Sequence, residues 1–481
     1  MKTLYMPAPD FSLDRAIHSF NDDEPFTIGN ACEGVQIFGG IGSGKTSGSG
    51  EAIARAFLNA GFGGLVLCAK KDVLEDWKRY ARETGRTNHV LVFDATGDFV
   101  FPFLQYEIER KGEGAGYTEN LVRLFTAVYE AIDRSVSGEG DDPYWARAMQ
   151  QLLRNAIDLC MIARGTVSVP QIRDIILSAP ISTAQIDTDE WKAKSLCWKL
   201  LLEGHAKDLD KWVKHDFDST ASFWLEEYPN LAERTRSSIL STLTTMMDIF
   251  LRRPFRRLFC EQPEDRKKIA YPELTHRGVI IVLNLPVKEF GDAGRAAQVV
   301  YKYLWQQAVE RRAVTNETIP VFLWVDEAQN FVTEYDMQFQ ATARSTRACT
   351  VYLTQNLPNY YAEMGGGAQS KYKVDSLIGN LQTKIWHANS DPMTNEHAAE
   401  TIGRSWHTRQ TSGESFGADY FNVSSGKNES FDYDVPPQAF TRLRKGGKLN
   451  SRIVEAIIFQ NGRMWKNGKT HLLAQFKQYE L

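Results

Sequence analysis

The stretch VQIFGGIGSGKTSGSG at residues 35–50 restricts the fold more than any other part of the chain. An apolar run leads into a glycine-rich loop, and the loop leads into helix-forming residues. Gly39, Gly40, Ile41, Gly42, Ser43, Gly44, Lys45 and Thr46 complete a Walker A pattern. In that pattern the glycines let backbone N–H groups curl around phosphates, and the lysine meets the β- and γ-phosphates. The threonine hydroxyl takes a place on Mg²⁺. ATP and Mg²⁺ are therefore the expected cofactors, with Lys45 on phosphate and Thr46 on the metal.

Short β-branched and aromatic runs recur through the rest of the sequence. They lie at 35–39, 64–69, 90–95, 279–285, 321–326, 349–355 and 383–388. They are apolar throughout instead of alternating, as expected of a parallel sheet covered on both faces. Helical patterns such as 293–312 and 391–403 separate several of them. The expected fold is α/β, a RecA-like P-loop domain with a doubly wound, mainly parallel sheet.

Between 112 and 270 the strand pattern stops. TENLVRLFTAVYEAID, WARAMQQLLRNAIDLCMIA and TRSSILSTLTTMMDIFLR carry apolar residues at three- and four-residue spacing. The stretch is too long for a loop and reads as an inserted all-α domain. The division expected is 1–111 and 271–481 for the two parts of the nucleotide-binding domain, with 112–270 between them. The polar stretch after Gly403, RQTSGESFGADYFNVSSGKNES, reads as a loop or disordered segment. The tail reads as strands joined by Asn-Gly turns at Asn461–Gly462 and Asn467–Gly468.

VFLWVDEAQNF at 321–331 places Asp326 and Glu327 at the C-terminal end of a buried strand, the edge where open α/β sheets bind ligands. Asp326 is the expected holder of the Mg²⁺ shell, and Glu327 the base that orients and deprotonates the attacking water. The strand ACTVYLTQN ends in Thr354 and Gln355, whose amide is placed to contact the γ-phosphate or the water. Just upstream lie Arg344 and Arg347. An arginine there could stabilise charge on a neighbouring subunit's nucleotide, although by residue type alone each reads as a surface arginine.

Together these motifs resemble the TraD/TraG-like coupling-protein ATPases of conjugation and type IV secretion, in the FtsK/HerA branch of RecA-like motors. The order of Walker A loop, helical insertion, LWVDEAQNF and TRACTVYLTQN carries the resemblance. ERTRSSILSTLTTMMDIFLRRPFRRLF and SLIGNLQTKIWHANSDPMTNEHAAETIG add to it. It spans about residue 30 to the C-terminus. It implies an ATP-driven homohexameric DNA translocase with catalysis by Glu327, Gln355 as sensor and Arg344 as the trans-acting arginine, with Arg347 as the substitute. Typical members begin with transmembrane helices. Here no apolar stretch approaches 18 residues, so the expectation is a soluble, cytoplasmic variant, recruited to a membrane by a partner in secretion or defence.

The chain has 481 residues and a net charge of −4, which excludes a broadly basic surface that coats nucleic acid. DNA, single- or double-stranded and bound without sequence preference, is the expected cargo, held by local cations in a channel. Arg252, Arg253, Arg256 and Arg257 in LRRPFRRLF are candidates for phosphate contact, and Tyr144 and Trp145 for base stacking. Read structurally, the arginines are a solvated helix end and the aromatics are core. The competing function is an ATP-gated recruitment scaffold that presents protein or nucleoprotein substrates without processive DNA movement. No N-K-x-D-like segment for guanine is present.

Overall fold

The computed structural model describes residues 10–21, 23–132, 143–417 and 420–478. A short antiparallel hairpin, β1 (Ala16–Phe20) and β2 (Glu24–Thr27), precedes the main sheet. The following strands are β3 (Val35–Phe38), β4 (Gly63–Leu67), β5 (Val90–Asp94), β6 (Ile280–Asn284), β7 (Val321–Asp326), β8 (Ala348–Thr354) and β9 (Thr383–Trp386). After a separate ribbon of β10 (Arg404–Gly417) and β11 (Tyr420–Tyr433) come β12 (Ile453–Gln460) and β13 (His471–Lys477).

Nine of these strands form one sheet in the order β13-β12-β9-β3-β8-β7-β4-β6-β5. All neighbours from β9 to β5 pair in parallel, while β12 runs antiparallel to both β9 and β13. Burial explains the apolar runs. Every residue of β3, β4, β7, β8 and β9 is buried, because helices or loops cover both faces. The two edge strands, β5 and β13, alternate in burial instead. Both Asn-Gly pairs lie in the connection from β12 to β13, with Gly462 and Gly468 at positive φ.

One sheet face is closed by the helices Glu51–Asn59 and Asp72–Glu83. Trp77 lies flat on Phe322 there, with centroids 5.1 Å apart and an interplanar angle of 19°. The other face shares one continuous core with the helical region, in which Leu65, Phe93, Leu121, Phe250 and Tyr301 all take part. The helices of that region run from Phe103–Glu109 to Phe255–Cys260. The chain leaves and re-enters the sheet at one seam. Val100 N–H donates to Lys268 O at 2.9 Å, Ala270 N–H to Val100 O at 2.9 Å, and Phe101 N–H to Leu258 O at 2.6 Å. Helix Val287–Arg311 lies along helix Thr118–Ile132 and joins the helical region to the sheet. The side chains of Tyr144 and Trp145 lie outside the described residues. Among the described residues no helix is long and apolar enough to cross a membrane.

The polar stretch after Gly403 is not a loop. It forms the β10–β11 ribbon, paired without a break from Arg404↔Tyr433 to Gly417↔Tyr420. Near its base Trp406 and Phe431 are exposed and face each other at 5.5 Å. Backbone pairing alone defines a two-stranded ribbon, and it needs no apolar alternation in the sequence.

Behind the Asp-Glu strand end lies a buried ion pair. Lys302 Nζ donates to Asp336 Oδ2 at 2.5 Å and to Phe331 O at 2.7 Å. Asp336 also accepts from Gln306 Nε2 and Tyr352 Oη, each at 2.8 Å, and from Thr333 N–H at 2.7 Å. Both partners are buried, so Asp336→Ala leaves an uncompensated ammonium inside the protein. That substitution is expected to cost about 3–5 kcal/mol, read as a lower denaturant midpoint. An unchanged midpoint would show that the pair contributes nothing.

Candidate nucleotide site

The Walker A loop begins where β3 ends. Gly42 and Gly44 hold positive φ, +68° and +82°, and Lys45 already has helical angles. A left-handed residue followed by a right-handed one, as at Gly44 and Lys45, is the geometry from which anion-binding concavities are built. Ser43 Oγ is buried and without a hydrogen-bond partner. Lys45 is buried as well, and its charge reaches both strand-end carboxylates. The residues present fit a triphosphate: left-handed loop glycines, an unengaged hydroxyl and an ammonium.

The loop is braced from beneath. Ser49 Oγ lies 2.7 Å from His387 Nε2, and His387 Nδ1 lies 3.1 Å from Glu455 O. A carbonyl can only accept, so Nδ1 carries the proton and Nε2 accepts from Ser49. Burial pushes His387 down to about 3, which keeps the imidazole neutral. From the far side Gln478 Nε2 donates to Ser47 Oγ at 2.7 Å. A cavity of about 570 Å³ opens between the loop, Arg79 and Tyr80 of helix Asp72–Glu83, and Lys448 and Arg452 before β12.

Strand register brings the remaining parts to this edge. Phe38 of β3 pairs with Thr354 of β8, and Leu353 pairs with Asp326 of β7. Thr46 Oγ1 comes within 3.4 Å of Asp326 Oδ2. A hydroxyl and a carboxylate at this spacing are the hard oxygen ligands that suit Mg²⁺. Burial raises the Asp326 carboxyl, against the pull of the Lys45 charge.

Glu327 adopts left-handed backbone angles, φ 54° and ψ 52°, which turn its side chain sharply off the strand. Its Oε1 accepts from Lys70 Nζ at 2.6 Å, and its Oε2 from Gln329 Nε2 at 3.0 Å. Gln355 Nε2 lies 3.3 Å from both oxygens. Burial would raise this carboxyl, but the Lys70 and Gln329 hydrogen bonds and the nearby ammonium charges bring it down to about 2. The Gln355 backbone is fixed by Asn389 Nδ2, which donates to its carbonyl at 2.9 Å.

Gly39 to Thr46, Asp326, Glu327 and Gln355 thus share one edge. Arg344 does not. It lies at the opposite end of β8, 61% exposed, with Nη1 3.5 Å from Glu33 Oε1. Arg347 is buried: it donates to Phe11 O at 2.7 Å and takes φ 56° at the turn into β8. Arg347 thus contacts its own chain, whereas Arg344 is exposed. Sequence reasoning missed Lys70, Gln329, His387 and Asn389. Gln329 stands within the VFLWVDEAQNF motif itself, whereas strand order is what brings Lys70, His387 and Asn389 beside the motifs.

The family model described as the TraM recognition site of TraD and TraG matches residues 320–439, from β7 through the β10–β11 ribbon. The bacterial conjugative coupling protein TrwBdeltaN70, in its unbound form, matches with a TM-score of 0.63 at 14% identity. The match covers 97% of this chain and 90% of that one. The chain has the coupling-protein fold. TrwB with the ATP analogue ADPNP gives a TM-score of 0.62 at 12% identity, over 97% and 91% of the two chains. TrwB with ADP and Mg²⁺ gives 0.61 at 13% identity over the same shares. No curated protein matches by sequence. The segment matched by the family model holds Asp326, Glu327, Arg344 and Gln355, while the Walker A loop lies outside it.

The two loop glycines separate strain from collision. A Cβ on Gly44 would sit 2.6 Å from Val454 Cγ2, whereas one on Gly42 would meet nothing within 4 Å. Both substitutions strain φ, by about 1–3 kcal/mol, but only Gly44→Ala also displaces β12. Titration with a fluorescent ATP analogue should show a greater loss for Gly44→Ala than for Gly42→Ala. Equal losses would mean that the Val454 contact is immaterial.

Proposed function

We propose that this chain is an Mg²⁺-dependent ATPase that works as a homohexameric DNA translocase, with each nucleotide shared between two subunits. The observation that carries the reading is the separation of the catalytic parts. Thr46, Asp326, Glu327 and Gln355 lie at one end of the parallel strands, and Arg344 lies beyond the other end of β8. Seven residues of strand span about 20 Å, farther than an arginine side chain reaches, so Arg344 cannot serve its own subunit's nucleotide. A head-to-tail ring would set it against the neighbour's phosphates. The likeness to TrwB, solved with ADPNP and with ADP and Mg²⁺, supports the cofactors.

In the proposed mechanism Lys45 and the loop amides hold the phosphates, and Thr46 and Asp326 hold Mg²⁺ through oxygen ligands. Glu327 takes the proton of the attacking water, and Gln355, touching both Glu327 oxygens, ties that base to the neighbouring strand. Arg344 of the adjacent subunit would offset charge on the transferred phosphoryl group, a contribution of about 10³–10⁵ in rate for such arginines. Mixing tests this arrangement. Lys45→Ala and Arg344→Ala subunits are each expected to be inactive alone. A mixed ring that pairs an intact pocket with an intact arginine should recover ATPase activity. Mixed rings without activity would contradict the trans assignment.

DNA is the proposed cargo, with the arginines of LRRPFRRLF as its candidate contacts in the helical region. Arg252 is paired with Asp248 at 2.6 Å. Arg257 donates to Thr96 O at 3.3 Å and Gly97 O at 3.2 Å, which ties the helical region to the loop after β5. Arg256 Nε lies 4.0 Å from Glu261 Oε1, and Arg253 is exposed beside it. One or two cations per subunit give about six to twelve phosphate contacts in a ring, with a salt slope near −0.9 for each. DNA affinity should therefore fall steeply with salt and show little sequence preference. The recruitment reading is favoured by the TraM-recognition segment and the exposed Trp406–Phe431 pair. An ATPase indifferent to DNA at low salt would select that reading.

A further inference from the structure

The carboxylate assigned as the base has no free oxygen. Glu327 Oε1 is held by Lys70 and Gln355, and Oε2 by Gln329 and Gln355. A carboxylate offers about four lone-pair sites, and four contacts occupy them here. A general base must accept a hydrogen bond from the water it deprotonates. With these four contacts in place, no lone pair of Glu327 is left for that water.

Lys70 makes the closest of these contacts, 2.6 Å, and it differs from the two glutamines in charge and mobility. It comes from the end of β4, whose Leu67 pairs with Val325 of β7. Its side chain is 38% exposed on a flexible stem, so its ammonium can leave Glu327 without unfolding anything. Nucleotide phosphates bound at the same strand edge would compete for it. The segment that carries Lys70 is also joined to the helical region. Gln298, fully buried, accepts from Cys68 N–H at 2.8 Å and donates to Cys68 O at 3.1 Å and Leu285 O at 2.8 Å. Gln298 belongs to helix Val287–Arg311, which lies along helix Thr118–Ile132.

We infer that Lys70 is a positioning residue that latches Glu327 in the nucleotide-free subunit and releases it when phosphates draw the ammonium away. The inference rests on Glu327 being the base. Movement of helix Val287–Arg311 would shift Lys70 through Gln298, so cargo on the helical region can change how tightly the latch holds. Lys70 is thereby a brake on idle hydrolysis.

The test is steady-state ATPase activity of the full chain, with and without DNA, for Lys70→Met, Lys70→Arg, Glu327→Gln and the double variant Lys70→Met/Glu327→Gln. Lys70→Met should raise the DNA-free kcat at least about fivefold and change KM for ATP less than about twofold. It should also shrink the stimulation by DNA. Lys70→Arg, which keeps the charge, should keep the low idle rate. The double variant should be as slow as Glu327→Gln, because Lys70 acts only through that carboxylate. A Lys70→Met enzyme with unchanged or lower kcat, at wild-type Tm, overturns the latch. Lys70→Gln serves the same comparison if the methionine variant does not fold. Glu327→Gln at the wild-type rate would sink the base assignment itself, whereas a slow Glu327→Gln beside an unaltered Lys70→Met sinks only the latch.

Discussion

The parallel register of β3, β8, β7 and β4 is the constraint on which the rest of the structure depends. Val35↔Val351, Leu323↔Thr350 and Leu65↔Leu323 set these strands level, so their C-terminal ends open onto one edge. The Walker A loop, Gln355, Asp326 with Glu327, and Lys70 each follow a strand of this set. A slip of one residue between β7 and β8 would turn every alternate side chain to the other face. Two continuous cores resist such a slip, one beneath the helical region and one beneath Phe57 and Trp77. The buried Lys302–Asp336 pair adds a polar condition, because Tyr352 of β8 must reach the same carboxylate.

The same parallel arrangement gives the molecule two chemically different ends. One end gathers phosphate-binding amides, two carboxylates and two ammonium groups. The other end carries Arg344 and Glu33, paired weakly across an exposed gap. In the proposed assembly, a subunit with a nucleotide at one end and an arginine at the other is completed by a copy stacked head to tail. Closed rings are the natural product of such heterologous contacts. The helical region meets the sheet at the Val100–Lys268 seam and along helix Val287–Arg311.

Local motifs were legible in the sequence because their chemistry lies within a few residues. The Walker A loop needs eight consecutive residues, and Asp326 and Glu327 need only an apolar run before them. The central strands were legible because burial on both faces leaves an unbroken apolar signature. Lys70 was not legible: it is an ordinary lysine until β4 is known to lie beside β7. His387 was likewise hidden, since its partner Ser49 is 338 residues away. Arg344 and Arg347 could not be separated by spacing, and the structure separates them by burial and by the Phe11 contact. The β10–β11 ribbon was misread because polarity reports absence from a core, which is a different thing from absence of order. The N-terminal β1–β2 hairpin was missed for a related reason, its strands being only five and four residues long.

The account turns on a nucleotide held between two copies of the chain. Electron microscopy of the protein with DNA and a non-hydrolysable ATP analogue addresses this directly. The account predicts a ring in which Arg344 has left Glu33 and lies within hydrogen-bonding distance of the γ-phosphate bound by the neighbour's Lys45. A nucleotide enclosed by one subunit alone, with Arg344 still on its own Glu33 and distant from every phosphate, would contradict it.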